Sequence, residues 1–342
     1  MPADVVMSGK VIVCPLRIAH LRVAFAAVAA SAVTACSGSA TSDGAHPASG
    51  TASYYLALGD SLSQGVQPDA AGASVETRQG YADQAYAALH RGHPTLRLVK
   101  LGCPGETTST MIRGGICRYR GGSQLAAAVA FLRAHRGHVF LVTIDIGAND
   151  PQDCGAQPGL RKIASCIGTG VPAAVANLAG IMTTLRAAAG PSVRMVGMSY
   201  YLPELAEWRD GVVGEGAAWL SEKLAVGYNE LLDHDYTESG ARVADVFSAF
   251  DTTDFSADVT VPGIGTIPRN VALVCRWTWE CAAPLRGPDQ HANEAGYAVI
   301  AHTFLRAAGL GWSQSSFRQS ACRRQDRPQA GARGLGRRSR FD

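Results

Sequence analysis

Five short apolar runs, several rich in β-branched residues, alternate with longer segments whose apolar residues recur every three to four positions. The runs cover 54–58, 96–101, 139–146, 193–198 and 242–247; the helical patterns cover 81–91, 123–136, 173–189 and 217–232, with a last helix at 293–308. Strands that are apolar at most positions need cover on both faces, and strands joined through helices run parallel. The pattern therefore predicts a single α/β domain with a mostly parallel, twisted sheet and helices on both faces. With 47% hydrophobic residues in 342, the chain can fill such a core, which excludes disorder along its whole length. Residues 250–287 make a long stretch for a loop and hold Trp277, Trp279 and two Cys, so they are expected to form a functional loop.

The two ends differ from this middle. The formal charge of +3 splits into +2 on the first 36 residues, +6 on the last thirty and −5 on the span between. An acidic folding portion lacks the electrostatic footprint of a nucleic-acid binder. Arg17 and Arg22 precede an uncharged run, 23–33, too short for a permanent membrane span, which is the pattern of an export signal. It ends in Val33-Thr34-Ala35-Cys36, which resembles a bacterial lipobox. Cys36 would then be lipidated and tether the protein to a membrane; an ordinary secretory signal is the alternative. On either reading the protein is exported, to the cell envelope or beyond. Residues 37–53 are small and polar, as expected of a flexible tether. The Arg-rich tail, 313–342, is expected to be disordered, which leaves 54–312 as the folded domain.

Of nine Cys, six fall in the middle, in sequence-local couples: Cys103 with Cys117, Cys154 with Cys166, and Cys275 with Cys281. In an exported chain, three disulfides closing short loops are the economical reading, although six Cys allow fifteen connectivities. Zinc ligation would need close ligand pairs, and no C-x-x-C is present, so no metal site is expected.

In open α/β sheets ligands bind at the carboxyl ends of the strands. Three polar clusters stand there: Gly59-Asp60-Ser61-Leu62-Ser63, Gly102-Cys103-Pro104-Gly105-Glu106-Thr107, and Gly147-Ala148-Asn149-Asp150. A Ser in a strand-to-helix turn presents its hydroxyl near helix N-terminal N–H groups. A fourth cluster, Asp289-Gln290-His291-Ala292-Asn293, leads into the last helix. Taken singly, each is ordinary turn or cap chemistry.

Taken in order, Gly-Asp-Ser-Leu, Pro-Gly-Glu-Thr, Gly-Ala-Asn-Asp and an Asp and His before Asn-x-x-Gly-Tyr resemble the four blocks of the GDSL, or SGNH, hydrolases over about 54–309. The likeness is greatest to secreted actinobacterial lipases and esterases, which also carry three sequence-local disulfides. It implies the flavodoxin-like SGNH fold with a five-stranded parallel sheet, and a serine ester hydrolase needing no cofactor. By position, Ser61 is the implied nucleophile and His291 its base, with Gly105 and Asn149 joining the Ser61 N–H in the oxyanion hole. Two departures stand out: Ala292 replaces the usual Pro after the His, and Pro288 stands where many members have Asp. Asp289, two residues before the His, is the favoured partner of the imidazole, with the Pro288 carbonyl as the alternative. The expected partner is an acyl ester, lipid or small, handled by a monomer. Trp277, Trp279 and the stretch 259–267 are candidate walls of an acyl pocket, with plain packing as the alternative. A glycan O-deacetylase of the same family, or an inactive envelope binding module, are the rival functions.

Overall fold

β1 (Ser53–Gly59) pairs in parallel with β2 (Leu96–Lys100) on one side and with β3 (Val139–Asp145) on the other. β4 (Arg194–Met198) and β5 (Arg242–Ala244) extend the sheet beyond β3, so the strand order is β2-β1-β3-β4-β5, all parallel. This is the sheet of a computed structural model that describes residues 52–151 and 160–311. Leu56, Leu58, Leu141, Val142, Ile144 and Val196 are fully buried, which is why these strands read as continuous apolar runs.

The chain leaves β1 for β2 in one direction and then crosses to β3 in the other. Right-handed crossovers therefore put α2 (Tyr81–His90) on one face and α4 (Gln124–Ala134), α5 (Leu160–Ala189) and α6 (Gly211–Glu238) on the other. Two short helices, α1 (Ser61–Gln64) directly after β1 and α3 (Thr108–Arg113) after a loop from β2, follow these strands. The reversal at β1 opens a crevice between the carboxyl ends of β1 and β3, where this fold places ligands.

The elements run longer or shorter than expected for local reasons. α5 begins at Leu160 rather than 173, because the helix runs on through Pro172. Its segment Ser165–Ala189 is long and apolar enough to cross a membrane by length and composition, but Leu178, Ile181, Met182 and Leu185 are fully buried in the domain core. α6 starts at Gly211 rather than 217, where two further Gly weaken the helical signal. β5 stops at Ala244 because the Asp245 carboxylate caps α7 (Val246–Ala249) by accepting the Ser248 N–H. The expected loop 250–287 is partly regular: Asp258–Val261 and Gly265–Pro268 form an antiparallel ribbon, followed by α8 (Arg269–Trp277). α9 (Glu294–Ala307) packs beside α2, and Phe304 stacks on Tyr81 with ring centroids 4.6 Å apart.

Cys103–Cys117 and Cys275–Cys281 are disulfides. Cys166 is also disulfide-bonded; its expected partner Cys154, like Cys36, the tether before residue 52 and the Arg-rich tail, lies outside the described residues.

Candidate active site

Ser61 opens α1, and the turn that carries it is built from backbone contacts. Gly59 ends β1 with φ +129°, and its N–H and C=O are both held by the Gln124 side chain, at 2.7 and 2.9 Å. Asp60 then caps α1: its Oδ1 accepts the Leu62 N–H at 3.0 Å. Asp145, at the end of β3, accepts the Ser63 N–H at 3.1 Å. Of the first three N–H groups of α1, the described contacts take those of Leu62 and Ser63 and leave that of Ser61.

His291 reaches Ser61 from the segment ahead of α9. Trp277–Trp279 holds this segment as a short antiparallel partner: the Trp279 N–H donates to the His291 carbonyl at 3.0 Å and the Asn293 N–H to the Trp277 carbonyl at 2.9 Å. Asn293 caps α9 with its Oδ1 and donates its Nδ2 to the Arg276 and Thr278 carbonyls. The Cys275–Cys281 disulfide closes the chain on either side of this partner. His291 Nε2 thus lies 2.9 Å from Ser61 Oγ, and Nδ1 lies 2.8 Å from Asp289 Oδ1. A carboxylate accepts only, so it fixes the tautomer with hydrogen on Nδ1 and a lone pair on Nε2 facing the Ser61 hydroxyl. Asp289 Oδ1 also accepts the His291 backbone N–H at 2.9 Å. Burial pushes the Asp289 carboxyl up, but its hydrogen bonds to His291 and the attraction of that ring outweigh burial and hold it below the usual Asp value.

Two further polar groups lie on the loops that follow β2 and β3. Gly105 has φ +78° and open space where a Cβ would stand, and its N–H has no acceptor among the described residues. Gly102 differs: a Cβ there would meet Ser63 Oγ at 1.7 Å, which makes it a packing glycine. Asn149 Nδ2 donates to the Glu106 carbonyl at 2.9 Å, which uses one of its two hydrogens. Asp150 ties the two loops together, accepting the Thr108 N–H at 2.9 Å and the Thr108 hydroxyl at 2.6 Å. Ser61, His291 and Asp289 are thus joined side chain to side chain, and Asn149 is joined to the loop of Gly105 through the Glu106 carbonyl.

The two Trp proposed as pocket walls have defined neighbours. Trp277 packs edge-on against Phe250, with centroids 5.0 Å apart, and Trp279 donates its Nε1–H to Gln67 at 3.3 Å beneath the Arg286 guanidinium. Both rings are engaged in packing. Gln124 and Asp145, which hold the turn of Ser61, are neighbours that the sequence does not single out. For Asp145 a signal existed: one acidic residue in an otherwise apolar strand. Among the described residues no group of three or more His, Cys, Asp or Glu is placed to hold a metal ion.

A family model described as the GDSL-like Lipase/Acylhydrolase family matches residues 57–299, and the chain belongs to that family. Solved structures similar to it include an extracellular lipase from Streptomyces rimosus, 18% identical with a TM-score of 0.48, covering 74% of this chain and 100% of that one. Phospholipase A1 from Streptomyces albidoflavus is 18% identical with a TM-score of 0.45, over 74% of this chain and 99% of that one. An acetylxylan esterase from Geobacillus stearothermophilus is 18% identical with a TM-score of 0.47, over 76% and 95%. No curated protein matches the chain in sequence.

Proposed function

We propose that this protein is a serine hydrolase of carboxylic acyl esters. The observation that carries the reading is the relay from Ser61 Oγ to His291 Nε2, at 2.9 Å, and from His291 Nδ1 to Asp289, at 2.8 Å. Ser61 Oγ attacks the ester carbonyl while His291 Nε2 takes its proton. Negative charge then gathers on the former carbonyl oxygen, where the N–H groups of Ser61 and Gly105 and the remaining Asn149 N–H converge. Collapse of this tetrahedral species expels the alcohol, protonated by the His291 imidazolium, and leaves an acyl-Ser61 ester. His291 next removes a proton from water, which attacks the acyl group and releases the acid and free Ser61. Each fixed donor contributes strongly, since losing one typically slows such chemistry by about a hundred- to a thousand-fold.

The site of action is proposed to lie outside the cytoplasm, anchored through Cys36. The support is the export pattern at 17–36 and the two disulfides, Cys103–Cys117 and Cys275–Cys281, which persist in oxidising compartments. Intact mass of membrane-fraction protein tests the anchor; a mature N-terminus other than Cys36 removes it.

Hydrolysis of p-nitrophenyl acyl esters of graded chain length tests the activity and sorts its acyl preference. Ser61→Ala is expected to reduce turnover by at least about 10⁴-fold. Full activity in that variant would end the proposal.

A further inference from the structure

Beneath the nucleophile turn lies a second carboxyl group that the relay does not use. Asp145 is fully buried, between Ile144 and Ile146, which are also fully buried. A carboxyl in such surroundings needs every oxygen satisfied. Its Oδ2 accepts the Ser63 N–H at 3.1 Å and shares the Asp60 N–H, at 3.3 Å, with its own backbone carbonyl, which accepts that N–H at 3.0 Å, so the residue holds the turn on either side of Ser61. Its Oδ1 accepts the Tyr81 hydroxyl, which comes from α2 on the far side of the turn. β1 is shaped to admit it: Gly59 pairs with Asp145 across the sheet, and a Cβ on Gly59 would fall 2.6 Å from Asp145 Oδ1.

We propose that Asp145 is a positioning residue for Ser61: by gripping the N–H groups before and after the nucleophile from below, it fixes the turn and leaves the Ser61 N–H open toward the crevice. The inference rests on the hydrolase reading above and adds to it a residue that acts through the backbone. An oxygen acceptor at this position is what the geometry requires; a negative charge is not. Burial, and then the nearby Asp60 carboxyl, push the Asp145 carboxyl well above the usual range.

The test compares wild type with Asp145→Ala, Asp145→Leu and Asp145→Asn, and with Ser61→Ala as the blank. Leu fills the volume without an acceptor and carries the test if Ala does not fold; Asn keeps an acceptor oxygen in the same shape. Thermal melts fix a working temperature well below every Tm. Steady-state kinetics on a p-nitrophenyl ester and the rate of fluorophosphonate labelling are then measured. Ala and Leu are expected to lower kcat by about 100-fold with KM within about threefold, and to slow labelling in proportion, because what is lost is transition-state geometry. Asn is expected to restore both to within about tenfold of wild type. Labelling of the Ala or Leu variant at the wild-type rate, or an Asn variant as slow as Leu, would overturn the inference. Wild-type protein that takes no label would instead remove the hydrolase reading on which it rests.

Discussion

Carboxyl groups stand on both sides of Ser61, and the two sides behave oppositely. Asp289 keeps 16% of its side chain exposed and lies beside an imidazole, whose hydrogen bonds and attraction hold it ionised. Asp60 and Asp145 are 2% and 0% exposed and lie close to one another. Burial is the larger effect there and pushes both up, although the Leu62 N–H pulls Asp60 part of the way back. The same residue type thus serves two purposes. On the proposed mechanism, the His side needs a charge to set the tautomer and steady an imidazolium, and the strand side needs an oxygen to hold backbone.

The difference can be broken most sharply by swapping Asp for Asn on each side. Asp289→Asn would donate an N–H to His291 Nδ1 and hold the ring in the wrong tautomer, with Nε2 protonated toward Ser61. A loss in kcat of up to about 10⁴-fold is expected at neutral pH. Asp60→Asn keeps the cap, since Asn serves that position as well as Asp, and is expected to stay within about tenfold. Equal losses in the two variants, read from kcat on the same ester, would erase the distinction between charge and acceptor.

The next effect concerns the strand side alone. Gly59→Ala places a Cβ 2.0 Å from the Asp145 carbonyl oxygen at a backbone with φ +129°. Strain and overpacking together are expected to cost roughly 3 kcal/mol or more. For a domain of this size that lowers Tm by roughly 6–12 °C. A melt within two degrees of wild type would show that the turn tolerates more movement than the Asp145 grip implies.

How far the sequence disclosed this arrangement follows from the range of each contact. The His291 segment was legible because Asp289, His291 and the Asn293 cap lie within five residues, where local geometry leaves few choices. The choice of Gly105 over Gly102 rests on resemblance; the structure adds that a Cβ at Gly102 would meet Ser63 Oγ, whereas at Gly105 it would meet open space. Asp145 stands out as an acidic residue in a buried strand, but its partner is not legible, since only the register Gly59↔Asp145, set by a parallel pairing 86 residues apart, brings it under Ser61. Gln124 was hidden for the same reason, 65 residues from the Gly59 backbone it holds. The extent of α5 was misjudged because Pro172 reads as a helix start when neighbouring packing is unknown.

The smallest effect tests whether the His side really favours charge beyond Asp289 itself. Glu280, next to the Trp279 backbone that holds His291, is pushed up to about 7, chiefly by burial and then by Glu204, Asp289 and Glu207. In the unfolded chain the group titrates near its ordinary value, about 4.3. A folded value above the unfolded one means the native state binds the proton more tightly, so stability is lost as pH rises from about 4.3 to about 7. Glu280→Gln removes that loss. Its Tm is expected to match wild type at pH 4 and to exceed it increasingly up to pH 8. Because the side chain is only partly buried, solvent screening limits the gain to about 0.5–1 kcal/mol, or roughly 1–4 °C. A gain independent of pH would locate the effect in packing. A gain that grows with pH would show that ionising Glu280 itself is costly here, where burial and then the neighbouring Glu204, Asp289 and Glu207 carboxylates oppose a further charge.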